Sequence, residues 1–313
     1  MKLSKSFLLG KLCLLGVLVQ LFLGRVSAQS ILYLADSYGV QTVSPGGTFA
    51  QNFIALPDGG SGLAFASSGN LFASSGGNSA IMEIGPGGAI STFVTLTNYG
   101  PSAMAFDANG DLFAAIVPTD SVLKITPGGV VTTFASGFHN PTDLAFDSNG
   151  NLYVANDLYI VTNGSNLNPI VIGGGTISKI TPNGVVSTFA GFFNTPSGMA
   201  FDANDNLYVD DSSNNVFKIT PNGSISTFFS PNPPGYLGAL AFDDNGNLLA
   251  SAGSNIYTIT PGGNVSVYAS VRGTEQMALG PASFSAGIPE PTTWVWFVGG
   301  LAVAMAAHRK FRR

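Results

Sequence analysis

Carboxylates and amides recur in this chain at a spacing that suits oxygen chemistry. "DANGD" at Asp107 to Asp111, "DSNGN" from Asp147 and "DDNGN" from Asp243 put oxygen-bearing side chains at alternate positions, as the first turn of a calcium-binding loop does. Such a loop needs further oxygen ligands and a closing glutamate between two helices, and neither follows here. The same residues also make a hairpin turn in which Asp accepts backbone hydrogen bonds and Asn-Gly supplies positive φ. Turns are therefore expected at all three places.

Nucleophilic and acid–base chemistry have little to work with. Cys13 is the only cysteine, His139 and His308 are the only histidines, and no Gly-x-Ser-x-Gly elbow accompanies them. A Ser-His-Asp site would have to use His139, because His308 lies in the C-terminal tail. "GGG" at Gly173 to Gly175 precedes no Gly-Lys-Ser/Thr, so it reads as slack in a loop and not as a phosphate cradle.

The formal net charge is −5, but the bases crowd the two ends. Between residues 29 and 288 only Lys124, Lys179, Lys218 and Arg272 oppose sixteen acids, a net charge of −12. That field repels phosphate backbones, which makes nucleic acid a poor partner. Cations, neutral glycans and basic proteins fit it.

The elements that hold these residues come from a repeat of about 40 residues. Its units are "GLAFASSGNLFASS" from Gly62, "AMAFDANGDLFAAI" from Ala103, "DLAFDSNGNLYVAN" from Asp143, "GMAFDANDNLYVDD" from Gly198 and "ALAFDDNGNLLASA" from Ala239. Each continues to an Ile-x-Pro signature, as at Ile125, Ile180 and Ile219, and then to a short strand such as "VVTTFA". The pattern reads as four strands per unit, with an alternating "NLYVA" strand second and a proline ending the third. Four-stranded units of this length are propeller blades, with a solenoid as the alternative.

Second strands begin near Ile31, Leu71, Leu112, Leu152, Leu207 and Leu248, yet the first of them lacks a first strand before it. "EQMALG" from Glu275 is an orphan strand that would complete blade one. The expectation is an all-β, six-bladed β-propeller over 29–285, closed by pairing its two ends so that no terminal edge is exposed.

Propeller topology then assigns loops to faces. With first strands along the central channel, the turns after first and third strands share a bottom face. Second-strand ends and blade-to-blade crossovers share a top face. Metal or ligand candidates on top are Asp143 and Glu275 at first-strand starts, with Asp36, Asn156, Asp157, Asp210 and Asp211 at second-strand ends. Hard oxygen ligands with few bases nearby suit Ca²⁺ or another divalent cation; solvated rim acids are the alternative reading. Tyr99, Phe138, His139, Phe192, Phe193 and Tyr236 on the crossovers are candidates for stacking on a glycan. Blade four also inserts "DLYIVTNGSNLNPIVIGGG" on that face.

"NPTDLAFDSNGNLYVAND" and "TPSGMAFDANDNLYVDDSSNNVFKITPNG" resemble NHL-type repeats and the six-bladed group that includes the SMP-30/gluconolactonase-like propellers. The resemblance covers most of residues 31 to 280. It implies the fold, and for SMP-30-like lactonases a divalent ion held by one Glu, one Asn and one Asp, for which Glu275, Asn156 and Asp143 are the candidates. The sequence departs from that pattern: an opening Glu-Gly-Pro segment is missing, and most matching positions are Ser, Gly or Ala. The functional reading is a non-enzymatic binding or scaffold propeller for glycan or protein. A metal-dependent lactonase or esterase is the alternative.

The two ends concern destination. Lys2, Lys5 and Lys11 precede or interrupt an apolar stretch, Leu12 to Leu23, that ends in Val26-Ser27-Ala28. This reads as a secretory signal, 1–28, cleaved between Ala28 and Gln29, with an uncleaved anchor as the alternative. At the other end, 286–313 holds Pro289-Glu290-Pro291, a single membrane helix over about 292–308, and a basic tail with Arg309, Lys310, Arg312 and Arg313. That ordered set resembles the PEP-CTERM sorting signal of Gram-negative bacteria. The resemblance implies processing by an exosortase after signal peptidase, an inner-membrane-anchored precursor, and delivery to the cell surface or extracellular matrix, where exopolysaccharide or a surface protein is the expected partner. A permanent anchor is the alternative.

Overall fold

A computed structural model describes residues 31–280, apart from 37–38, 45–46, 57–59, 76–78, 98–99, 158–159, 163–168, 172–173, 212–214, 231–236 and 272–275. The signal sequence, the Ala28/Gln29 junction, the Pro-Glu-Pro motif, the membrane helix and the basic tail lie outside the described residues. Among the described residues no helix is long and apolar enough to cross a membrane.

Six four-stranded antiparallel sheets account for the repeat. Blade three runs Ala103–Phe106, Leu112–Ile116, Ser121–Ile125 and Val131–Ser136, hydrogen-bonded in that order from the innermost strand outwards. Blade four is Pro141–Phe146, Leu152–Asn156, Gly175–Ile180 and Val186–Phe193; blade five is Pro196–Phe201, Leu207–Asp211, Asn215–Ile219 and Ile225–Phe229. In blade one, Ile31–Asp36 pairs with Gly39–Val43 on one side and with Gln276–Gly280 on the other. The strand from the chain's far end therefore becomes the innermost strand of the first blade, as the orphan "QMALG" segment predicts. Each innermost strand packs against the innermost strand of the next blade, and the ring closes through Gln276–Gly280.

Closure explains where the core lies. Six hydrophobic clusters occur, and each is shared between two adjacent blades. Alternation along Ile31–Asp36 shows the rule: Ile31, Tyr33 and Ala35 pack toward blade two, while Leu32 and Leu34 pack toward blade six. The second strands, which read as alternating in sequence, are buried at all five positions in blades two to six. Both faces of a central blade strand are covered by neighbouring blades, so alternation distributes side chains between two cores.

The repeat's aromatic residues lock the boundaries from blade two to blade six. Tyr153 meets Phe189 of its own outermost strand and Phe201 of the next blade's innermost strand edge to face, both at 4.9 Å between centroids. Phe72, Phe113 and Tyr208 repeat the arrangement at 4.8–5.2 Å. Such pairs are each worth about 0.5–1.5 kcal/mol beyond their buried area.

Two details differ from the expectation. The insertion after the second strand of blade four contains a two-stranded hairpin, Ile160–Thr162 with Pro169–Val171, where a loop was expected. A three-residue 3-10 turn, Val117–Thr119, interrupts blade three between its second and third strands.

Candidate functional site

The bottom face is built from one turn used repeatedly. In "DANGD", Asp107 Oδ1 accepts the N–H groups of Asn109 and Asp111, both at 2.9 Å, and Gly110 takes φ 83°. Asp147, Asp202 and Asp243 accept the matching pair of N–H groups in their own turns. Oxygens that satisfy turn amides in this way make the Asx turn that the sequence allows. Lys124, Lys179 and Lys218 then lie over the second-strand ring of the same blade at 5.2–5.4 Å and pair with Asp111, Asp147 and Asp202.

At the top face the arrangement changes from blade to blade. Ser61, Ser102 and Thr142 donate their hydroxyls across the blade boundary to the carbonyls of Pro101, Pro141 and Pro196, at 3.1, 2.7 and 2.7 Å. Ser197 breaks the series and donates to Asp210 Oδ1 at 2.6 Å, which also accepts the N–H of Gly198 at 2.7 Å. Ser74 and Ser251 play the Asp210 part in blades two and six, accepting from Gly62 N and Ala239 N at 2.7 and 2.9 Å. A carboxylate therefore stands where a hydroxyl suffices. Its second oxygen, Oδ2, is buried without a hydrogen-bond partner, and Asp210 is wholly shielded from solvent. Burial pushes the Asp210 carboxyl up to about 6, against the opposing hydrogen bonds from Ser197 and Gly198, with neighbouring Asp211 adding to the rise.

The other candidates sort by what they touch. Asp143 is buried, and its two oxygens accept Leu144 N at 2.8 Å and Met199 N at 2.6 Å, the latter in the next blade. Asp211 Oδ2 accepts the N–H of Asn194, and Asp157 Oδ2 accepts Nδ2 of Asn140, so each acid ties a crossover to a second-strand end. Asn156 Nδ2 reaches Thr176 and Ser178, while its Oδ1 is buried without a partner. Asp36 closes its strand opposite Gly39. Glu275, Tyr99 and Tyr236 lie outside the described residues.

Asp143 stands opposite Ala155, and the residue in the same place opposite Ala35 in blade one is Gln276. Among the described residues, no group of three or more His, Cys, Asp or Glu side chains is placed to hold a metal ion. The Asp143 oxygens are directed at backbone amides, which does not fit the expected ion.

The aromatic candidates divide sharply. Phe138 and Phe193 are each 3% exposed and belong to the core, whereas Phe192 is 100% exposed and His139 faces solvent. Sequence reasoning missed Asn140, Asp120 and Ser197. Asp120 Oδ1 accepts Asn140 N at 2.9 Å, fixing the crossover that carries His139. The signal for Ser197 is the Ser/Thr that recurs two residues before the innermost "LAF" or "MAF" run. Elsewhere, a cleft of about 330 Å³ between blades two and three is lined by residues such as Thr95, Ile116, Thr119 and Val131; none of its lining side chains titrates.

This geometry defines an all-β, six-bladed propeller with structural neighbours of the gluconolactonase kind. No protein-family model and no curated protein sequence matches the chain. Solved structures similar to it include a gluconolactonase from Xanthomonas campestris, at 17% identity and TM-score 0.59 over 70% of this chain and 82% of that one. Virginiamycin B lyase from Staphylococcus aureus aligns at 18% identity and TM-score 0.56, covering 78% and 85% of the two chains. A chain of the nidogen/laminin complex aligns at 16% identity and TM-score 0.65, covering 81% and 99%. At these identities the likeness is one of fold, and this fold carries both enzymes and a protein of a binding complex.

Proposed function

We propose that this chain is an exported propeller that binds a glycan or protein through the top ends of blades four and five and does no chemistry on it. One observation carries the reading: Asp143, Asp210 and Asp211 spend oxygens on backbone amides of neighbouring strands, while Phe192 and His139 face solvent. Acids used in this way hold the face in shape, and the exposed Phe192 ring is left for a partner. The sequence ends extend the proposal to export through the signal 1–28 and sorting through the 286–313 tail, with signal peptidase and exosortase as transient partners. Mass spectrometry of surface material is expected to find a chain without Trp294 to Arg313; recovery of intact Arg313 would overturn the sorting proposal.

A second reading is a divalent-metal-dependent lactonase or esterase. The gluconolactonase and lyase neighbours favour this reading over binding, and the partnerless Asp210 Oδ2 gives it a candidate base. The deciding experiment follows acid release from D-glucono-δ-lactone by the full-length chain with added Ca²⁺ or Mn²⁺, beside its binding to matrix polysaccharide. Binding without turnover is expected. Turnover that Asp210→Asn or Asp143→Asn abolishes would replace the binding reading with the hydrolase.

A further inference from the structure

Gly137 and Phe192 occupy one position of the repeat. "GFHNP" from Gly137 and "FFNTP" from Phe192 each leave an outermost strand, cross the top face and enter the next innermost strand, so Phe138 matches Phe193 and Asn140 matches Thr195. The backbones match as well: φ is 87° and 47° at Gly137 and Asn140, and 71° and 53° at Phe192 and Thr195. Glycine takes this left-handed conformation without cost, whereas a bulky side chain is strained in it.

The ring at 192 does nothing for the fold that could repay the strain. Phe192 is the unpaired residue of a β-bulge, since Gly175 pairs with Phe193 and Thr176 with Gly191. Its side chain is 100% exposed, while Phe193 is buried and meets Phe217 edge to face at 5.6 Å. Bulges re-aim side chains beside functional sites, and strained residues gather there. Gly174 backs the bulge so closely that a Cβ added to it would lie 3.2 Å from Phe192 Cα.

We propose that Phe192 is the aromatic anchor of the top face, and that its ligand is neutral carbohydrate stacked on the ring through a C–H face. The proposal rests on the binding reading above and names the ligand class. Two observations select carbohydrate. First, the other large apolar side chains exposed among the described residues, such as Ile90, Val131, Val186, Ile225 and Val265, lie on outermost strands or the turns before them, toward the bottom face. Among the described residues Phe192 is the large apolar side chain exposed on the top face, and a single ring suits a sugar, whereas a protein interface centres on a cluster of anchors. Second, the two top-face crossovers carry amide and hydroxyl side chains, Asn140, Asn194 and Thr195, and no Lys or Arg occurs in 137–157 or 186–211. With −12 over residues 29–288, anionic polymers and anionic lipid surfaces are repelled.

The test substitutes the residue of the matching crossover one blade earlier, Phe192→Gly, with Phe192→Asn and Phe192→Trp as companions in the full-length chain. Calorimetry with cello-oligosaccharides, laminari-oligosaccharides and dextran, and alginate as the anionic contrast, reads affinity; thermal melting reads folding. The wild type is expected to bind a neutral glycan and not alginate. Glycine and asparagine are expected to weaken that binding at least tenfold with an unchanged or higher melting midpoint, and tryptophan to preserve it. Neutral-glycan binding unaffected by Phe192→Gly overturns the anchor but leaves the binding reading standing, as does capture of a surface protein with no glycan bound. Preference for alginate overturns the ligand class. Lactone turnover without any glycan binding removes both proposals.

Discussion

The bottom and top faces of this propeller are made from the same repeat, and the bottom uses its acids uniformly whereas the top does not. On the bottom, Asp107, Asp147, Asp202 and Asp243 perform one task with one geometry, each closing its own turn. On the top, equivalent positions diverge: Ser74 and Ser251 accept an innermost-strand N–H where Asp210 does so with a carboxylate, and Phe192 stands where Gly137 does. Uniform positions carry the fold, because every blade must close. A departure that the fold does not require, such as a strained and exposed ring, is the better pointer to function.

The contrast can be broken first at Asp143. It is 7% exposed and accepts amides from two blades, so Asp143→Ala leaves buried N–H groups without an acceptor and should cost about 3 kcal/mol. Asp107 serves an exposed turn, and Asp107→Ala should cost about 1 kcal/mol. Equal losses in urea unfolding would erase the distinction between the faces.

Asp210 offers a pH-dependent version. Its carboxyl is raised from 3.8 to about 6 in the fold, so the folded chain holds the proton more tightly than the unfolded chain. The resulting penalty is absent below the unfolded value, grows between pH 4 and 6, and is complete above 6. Asp210→Asn keeps an acceptor oxygen and removes the charge, and should stabilise the protein by about 2 kcal/mol at pH 8 but not at pH 4. A gain of the same size at both pH values would show that burial of the charge is not the cause.

The smallest effect is expected at the bottom. Lys124 pairs with Asp111 at 2.7 Å and lies over Phe113, but its side chain is 32% exposed. Lys124→Met should cost about 0.5–1 kcal/mol, part of it lost in 1 M salt. A loss above that of Asp143→Ala would reverse the ranking of the two faces.

The blade count and the closure through "QMALG" were legible because both follow from counting strand signatures, and closure leaves no free terminal edge. The fully buried second strands were not, since "NLYVA" alternates identically whether one face or two meet a neighbour. Candidate acids could be assigned to the top face from topology alone. Their partners could not: whether Asp143 faces a channel or the amide of Met199 depends on how two blades abut, as does the split between buried Phe193 and exposed Phe192. The adjacent phenylalanines are indistinguishable in sequence until the match of Phe192 to Gly137 is noticed.

The central claim, that the top ends of blades four and five meet the ligand while the bottom turns only hold the fold, is tested most directly by mapping amide chemical shifts of the protein as neutral oligosaccharide is added. Shifts concentrated at residues 137–143 and 191–199, with 107–111, 147–151 and 243–247 unmoved, are the predicted result. Shifts centred on the bottom turns, or spread evenly over both faces, would contradict it.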